Sequence, residues 1–272
     1  MSGTVLRAVA RGDEPQLRAL WRDVFHDGDD VIGAFFDCLY VPEDTLVAAC
    51  GGEIVSAAYL LRGVGLCNGR ESRPAAYFYA LATRPDCRSL GLGRAITRAC
   101  IRKCAERGET LCLMPGEEGL RRWYAETAGL RSFGTARKIE AEASAADAIE
   151  LREIGAAQYA AQREAFLTGT PHAALPEPFF RFQARLCTPG GALLSLRGAD
   201  GETGLACAGM EDGAALIPEL LWTGEAEAAA AAVAAHLGAS RAAARMPGEG
   251  LQTVMGAAPN PEPPFWWGPV FD

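Results

Sequence analysis

The stretch YALATRPDCRSLGLGRAITRA, residues 79–99, constrains this chain more than any other part of it. An apolar strand pattern, AAYFYALAT (75–83), runs into a glycine-punctuated bend. A helical pattern, RAITRACIRKCAER (94–107), comes next and is stopped by Gly108. Arg88, Gly91 and Gly93 stand in the bend as R-x-x-G-x-G. Glycines let the backbone curl tightly and let a bulky anion approach the amides with no Cβ in the way. The first N–H groups of a helix have no intrahelical partner, and the helix dipole adds positive potential there, so such a bend suits a diphosphate. Arg88 and Arg94 add charge at its mouth. The spacing is not that of a dinucleotide fold, because Arg94 and Ala95 follow Gly93 and G-x-G-x-x-G is not completed. The GK[ST] of a P-loop is absent as well.

Around this bend the pattern alternates between strand and helix, which predicts an α/β fold. VLRAVA (5–10) reads as a strand. Asp13 is placed to cap a helix that carries Leu17, Leu20, Trp21, Val24 and Phe25 at helical spacing. VIGAFFDCLY continues as a second helical stretch with Phe35 and Phe36 as core candidates. TLVAAC and IVSAAYLL read as a hairpin turning on Gly51 and Gly52, and the polar NGRESRP (68–74) as a loop. After the bend helix come a strand, TLCLM (110–114), and a helix, EEGLRRWYAETAGL, that ends near Gly129.

The second half echoes the first in the same order. ELREI (150–154) echoes VLRAV near the start. ALLSLRGADGETGLACA (192–208) echoes TLVAACGGEIVSAAY (45–59), and RMPGEGL (245–251) echoes LMPGEEGL (113–120). These echoes predict two tandem copies of one unit, residues 1–140 and 149–272, joined near EASAADA (142–148). The alanine run GEAEAAAAAVAAHLG (224–238) reads as a helix of the second copy. The Pro-rich tail from 259 cannot be a regular helix, and its Trp266, Trp267 and Phe271 are expected to pack back onto a domain.

A chain of 272 residues is long enough for two modest domains. Its net charge of −8 and the lack of any Lys/Arg-rich block argue against nucleic acid and mildly favour cationic or neutral small substrates. No run approaches the ~18 apolar residues of a membrane span, and the N-terminus does not read as a signal peptide, so a cytoplasmic protein is expected. The nine cysteines are odd in number and form no CxxC, which favours reduced, buried thiols. The three histidines stand far apart, so no metal site is expected.

The bend resembles the acyl-CoA-binding motif of the GNAT acetyltransferase superfamily, in which a strand ends in x-P-x-x-R-x-x-G-x-G/A and a helix begins. Pro85, Arg88, Gly91 and Gly93 match it. WYAETAGL (123–130) is similar to the family's F-Y-x-x-x-G-F element. It has one extra residue between Tyr124 and Gly129, and Leu130 in place of the aromatic. The likeness covers roughly residues 5–140, reaches the rest only through the faint repeat, and implies the family's fold, a mixed central sheet flanked by helices. It implies that the pantetheine arm of acetyl-CoA pairs with the main chain of Leu81, Ala82 and Thr83. It also implies that the diphosphate sits on the amides of residues 88–94, namely Arg88, Ser89, Leu90, Gly91, Leu92, Gly93 and Arg94. The implied reaction is direct transfer of acetyl to an amine, with Tyr124 as the acid that protonates the departing sulfur and a main-chain N–H near Leu81 or Ala82 polarising the carbonyl.

The base that takes the amine's proton stays open among Glu43, Asp44, Glu117, Glu118, Asp272 with its terminal carboxylate, and a water chain. The second copy's counterpart of the cofactor strand is AALIPELLW (214–222), followed by TGEAEAAA without R-x-x-G-x-G. With Glu225 and Glu227 there, it is expected to bind no acetyl-CoA and instead to wall the substrate cleft or make subunit contacts. PHAALPEPFF (171–180) could supply a cleft loop. The expected acceptor is a small-molecule or peptide amine, and a homodimer is left open. A CoA-sensing module without turnover and an acyltransferase for longer chains are the alternatives.

Overall fold

A computed structural model describes residues 3–69, 71–144, 148–188, 190–259, 261–262 and 264–269. The first half runs β1 (Thr4–Ala8), α1 (Glu14–Phe25), α2 (Asp29–Cys38), β2 (Thr45–Cys50), β3 (Glu53–Asn68), β4 (Glu71–Thr83), α3 (Leu92–Glu106), β5 (Thr110–Leu113) and α4 (Glu118–Ala128). Then come β6 (Arg131–Ser132), β7 (Thr135–Glu142), β8 (Ile149–Glu153), α5 (Ala156–Phe166), β9 (His172–Ala174), α6 (Glu177–Leu186), β10 (Ala192–Gly198), β11 (Thr203–Glu211), β12 (Ala214–Trp222), α7 (Ala226–Leu237), β13 (Arg241–Gln252) and β14 (Met255–Gly256).

Contacts divide the chain into two compact units. The first takes the chain up to Val64, Arg73–Arg131 and the segment from Met255. The second takes Gly65–Ser72, Ser132–Val254 and the segment from Pro261. This division does not follow two consecutive blocks. β7, which the sequence pattern puts in the first copy, belongs to the second unit, where it pairs antiparallel with β13 from Arg241↔Glu142 to Gln252↔Thr135. β14, late in the chain, pairs with β5 of the first unit through Met255↔Leu113. Residues 145–147 of the expected joint lie outside the described residues.

In the first unit the strands follow the order β1-β2-β3-β4-β5-β14. β2 and β3 turn on Gly51 and Gly52, both at positive φ, as the two-residue hairpin requires. β4 pairs with β5 in parallel, but only from Ala75↔Thr110 to Tyr77↔Cys112. One face of the sheet packs Ala76, Phe78, Leu111 and Leu113 against Ile96, Cys100 and Cys104 of α3 and Tyr124 of α4. Rings of Tyr59 and Tyr79 meet Trp21 of α1 and Phe35 of α2 in an aromatic cluster.

Two local readings change. Asp13 does not cap α1 with its side chain. It accepts from Arg7 and from the Ala10 N–H, and the Arg7 guanidinium holds its carboxyl below the usual carboxylate range. NGRESRP is not a loop either: β3 runs to Asn68 and β4 starts at Glu71, so polar residues continue both arms of the hairpin. Of the apolar residues at helical spacing in α1, Leu17, Leu20 and Trp21 are buried, whereas Phe25 is 38% exposed at the helix end.

The second unit repeats the plan with the order β7-β13-β12-β11-β10-β8. β12, α7 and β13 stand as β4, α3 and β5 do, with β12 and β13 parallel from Ala214↔Arg241 to Ile217↔Ala244. The alanine run is the helix α7, and it buries Ala229, Ala230, Val233 and Ala234 against Ala215, Ile217, Leu220 and Trp222 of β12. The register of β12 slips against β11, with Gly209 opposite Leu216 but Cys207 opposite Glu219. The slip marks a β-bulge near Pro218. Two sheets of the same plan fit tandem copies. The echo RMPGEGL departs, however. Residues 115–118 lead into helix α4, whereas 247–250 stay in β13 as an insertion between Met246↔Arg137 and Leu251↔Ala136. Residues 171–180 form β9 and the start of α6.

The tail does pack back: Phe265, Trp266 and Trp267 are buried in the second unit, while Phe271 lies outside the described residues. At its centre Glu219 of β12 and Arg163 of α5, both fully buried, pair at 2.9 Å. Glu219 also accepts from the Tyr159 hydroxyl at 3.0 Å and from Trp266 Nε1 at 2.7 Å. Arg163 donates to the carbonyls of Ala173 and Trp267. All nine cysteines are free, with Cys187 and Cys207 facing each other at 3.8 Å. No helix among the described residues is long and apolar enough to cross a membrane.

Candidate active site

β4 changes face within its length. Ala76 and Phe78 point to the α3 face, but so does Leu81, against which Gly93 packs. Strict alternation would put 76, 78 and 80 together. The shift occurs at Ala80, which sits at φ 48, a left-handed conformation that costs an L-residue about 1–2 kcal/mol. A strained residue inside a strand marks a bulge that re-aims the residues beyond it. β12 carries its register slip in the corresponding strand.

Beyond the bulge the main chain takes sides. The Ala82 carbonyl accepts from Ser56 Oγ at 2.7 Å, and the Arg84 N–H donates to Val55 O at 2.9 Å. Both belong to β3, so residues 82 and 84 face β3. By the alternation of an extended strand, the N–H and C=O of Leu81 and Thr83 face the other way. β5 has already left β4 at Tyr77, so no ladder takes them up there. The expected trio thus splits: Leu81 and Thr83 offer main-chain groups on the open side, whereas Ala82 is buried and turned toward β3.

Next comes the bend. Arg84 anchors its start by pairing with Asp86 and Glu53, and a turn of 3-10 helix covers Pro85–Cys87. Ser89 at φ 62 and Gly91 at φ 78 are both left-handed, and α3 begins at Leu92 with Gly91 as its N-cap. The Arg88 Nε–H donates to Thr83 O at 3.3 Å and folds the exposed side chain back over the strand end. The first amides of α3 are therefore presented beside a curled backbone, the arrangement that holds anions.

A cleft of about 530 Å³ joins these parts. Leu81, Thr83, Arg88, Ser89, Gly91, Leu92, Gly93, Arg94 and Tyr124 line it, together with Val24, Cys87, Leu120 and Trp123. Two of the expected cofactor residues are not on its wall: Ala82, which is turned toward β3, and Leu90, which is 45% exposed to solvent. Tyr124 is buried in α4 with its ring edge-on to Phe78 and Trp123. No hydrogen bond joins its hydroxyl to another described residue. Burial pushes that hydroxyl's pKa above the ordinary phenol value. Trp123 lies in ordinary contact range of a Cβ placed at Gly93. Its role in the wall was missed because nothing in the sequence distinguishes it from a core residue.

Among the described residues, none of the carboxylates considered as a base lines the cleft. Asp44 is buried and paired with Arg107, with Lys103 at 3.9 Å and with Arg62 at 3.9 Å. Lys103 and Arg107 stand at the C-terminal end of α3, roughly 20 Å of helix away from the bend. The Glu43 carbonyl accepts from the same Lys103. Glu117 is the exposed N-cap of α4, and Glu118 pairs with Arg121 at 3.2 Å. Asp272 lies outside the described residues. In the second unit only residues 223–225 join β12 to α7, and the N-cap Glu225 is extended. That connection has no left-handed glycine and no arginine.

Known proteins share the fold that carries this cleft. A family model described as an acetyltransferase (GNAT) domain matches residues 5–127. The chain is similar in structure to a GCN5-related N-acetyltransferase from Kribbella flavida, with a TM-score of 0.64 at 17% identity over 93% of this chain and 70% of that one. A GCN5-related N-acetyltransferase from Anabaena variabilis gives 0.69 at 12% identity over 94% and 73%. A probable N-acyltransferase of unknown function from Enterococcus faecalis gives 0.70 at 11% over 94% and 72%. At these identities the likeness shows the fold. No curated protein matches the chain by sequence.

Proposed function

From the premise that residues 5–127 are a GNAT acetyltransferase domain, whose general chemistry is acyl transfer, we propose that this chain moves an acetyl group from acetyl-CoA directly to an amine of a small molecule or peptide. One observation carries the reading. The main chain of Leu81 and Thr83 faces away from β3 into a cleft that also holds the left-handed bend and the first amides of α3. An extended amide-bearing arm ending in a diphosphate has matching groups along that whole line.

Acetyl-CoA, when bound, supplies the acetyl group as an activated thioester. The chain's own residues do the rest. The amides from Ser89 to Arg94, with Arg88 and Arg94, hold the diphosphate. Leu81 and Thr83 hold the arm. The Leu81 N–H faces the cleft, whereas Ala82 does not, so Leu81 is the donor that polarises the carbonyl oxygen. The Tyr124 hydroxyl donates its proton to the leaving sulfur. The amine gives up its proton to a group other than Glu43, Asp44, Glu117 or Glu118. The second copy, with a short connection and Glu225 in place of the bend, holds no acetyl-CoA.

Calorimetric titration with coenzyme A and acetyl-CoA, followed by a thiol-release assay over a panel of amines, tests the proposal. Binding with amine-dependent thiol release is expected. Binding without release would make the chain a CoA-sensing module, and absence of binding would remove the reading altogether.

Gly91 gives a sharper test of the bend. A Cβ added there meets nothing within 4 Å, so the cost of substitution is conformational and not a clash. Gly91→Val must hold a β-branched residue at positive φ, and it should weaken coenzyme A binding by about tenfold or more, whereas Gly91→Asn, which tolerates that conformation, should stay within about threefold. Equal affinity in both variants and the unmodified protein would place the diphosphate elsewhere.

A further inference from the structure

Ser56 Oγ lies 2.7 Å from the Ala82 carbonyl oxygen and 2.8 Å from Thr83 Oγ1. Ser56 is fully buried in β3, while Thr83 lines the cleft. A hydroxyl has one proton to give and two lone pairs to accept with. A carbonyl oxygen can only accept, so the Ser56 proton goes to Ala82. The contact between the two hydroxyls then has a single donor left, and that donor is Thr83. The Thr83 proton is therefore committed inward, and only lone pairs remain on the side of Oγ1 that meets the cleft.

We propose that Ser56 sets Thr83 as a hydrogen-bond acceptor in the cleft, and that Thr83 Oγ1 takes an amide N–H of the pantetheine arm. The proposal rests on the acyl-CoA reading and adds a polarity to it. A freely turning hydroxyl would serve an amide or a phosphate oxygen equally well. A hydroxyl fixed as an acceptor favours the amide and repels a phosphate oxygen, which is itself an acceptor. Thr83 thereby helps set the register of the arm: amide beside the strand end, diphosphate at the bend. Thr83 is the residue that touches the ligand, and Ser56 is a positioning residue that acts through it. Ser56 also keeps the Ala82 carbonyl turned toward β3, which leaves Leu81 and Thr83 facing outward.

The test titrates the full chain with coenzyme A and with two analogues, each carrying an ester oxygen in place of one of the two pantetheine amide N–H groups. The unmodified protein should lose about tenfold in affinity for one of the analogues. Thr83→Val should bind coenzyme A about tenfold more weakly and should no longer distinguish that analogue, with KM for acetyl-CoA raised and kcat little changed. Ser56→Ala should show a smaller loss in the same direction, and Ser56→Ala combined with Thr83→Val should be no worse than Thr83→Val alone. Should the buried Ser56 variant fail to fold, Thr83→Val and the analogues decide the matter by themselves. Unchanged affinity in Thr83→Val, or undiminished discrimination between the ligands, overturns the proposal while leaving the acyl-CoA reading intact. Failure of the unmodified protein to bind coenzyme A overturns both.

Discussion

Tyr124→Phe should lower kcat for thiol release by about 100-fold while leaving coenzyme A affinity within about twofold. The variant removes one oxygen and nothing else. The ring keeps its edge-on contacts with Phe78 and Trp123, so the core face of α4 has no reason to move. On the proposed mechanism the loss is the proton for the departing sulfur, and general acids contribute about 10²- to 10⁴-fold in rate. The pH dependence carries a sign. Burial raises the pKa of this hydroxyl above the phenol's ordinary ~10, so it keeps its proton to higher pH than a free tyrosine. The unmodified enzyme should therefore show no loss of kcat attributable to Tyr124 up to about pH 10. Stopped-time thiol assays from about pH 6 to pH 10 on both proteins measure this. Full activity in Tyr124→Phe would remove the residue from the chemistry.

The largest effect on stability belongs to the second unit. Arg163→Ala leaves the Glu219 carboxylate fully buried with no cation, and it also frees the carbonyls of Ala173 and Trp267. Breaking a buried pair from one side costs about 3–5 kcal/mol, which corresponds to roughly 10 °C in melting temperature for a unit of this size. Glu219→Gln should cost less, because the amide oxygen can still accept from Trp266 or Tyr159. Replacing both partners by apolar residues of similar volume, Arg163→Met with Glu219→Leu, should be milder than Arg163→Ala, because no charge is then stranded. Thermal melts of the set check the order. A double variant less stable than Arg163→Ala would mean that the pair contributes more than it costs to bury.

Distance along the chain separates the features that were legible in the sequence from those that were not. The bend between 83 and 92 was readable because its requirements are local: glycine where φ is positive, then a helix start. The hairpin on Gly51 and Gly52 and the helix over the alanine run were readable for the same reason. Hidden features depend on partners far along the chain. Glu219 in AALIPELLW looks like a stray charge until Arg163, 56 residues earlier, and Trp266, 47 later, are seen around it. Asp13 had the composition of a cap, but Arg7 and the Ala10 N–H claim its carboxylate. Residues 71–74 are polar and one is proline, so they read as loop, yet an arm exposed to solvent can carry such residues within a strand. The 247–250 insertion keeps the residues of a helix entry and never forms one, because β13 continues its pairing with β7 on either side. At the site, Ala80 gave no sign of its left-handed backbone. The Ser56–Thr83 pair was invisible because a strand pattern says nothing about which side a carbonyl faces.

The bulge at Ala80 bears on how this surface can drift over generations. On the proposed reading it hands the recognition of a flexible arm to peptide groups, and at position 81 every residue except proline brings the same N–H and C=O. Substitutions of Leu81 can then accumulate under pressure from packing against the core beside α3 and from the shape of the cleft wall, without loss of the main-chain groups. A saturation library at that position should retain coenzyme A binding for most apolar residues and lose it abruptly at proline, the one residue with no N–H to offer.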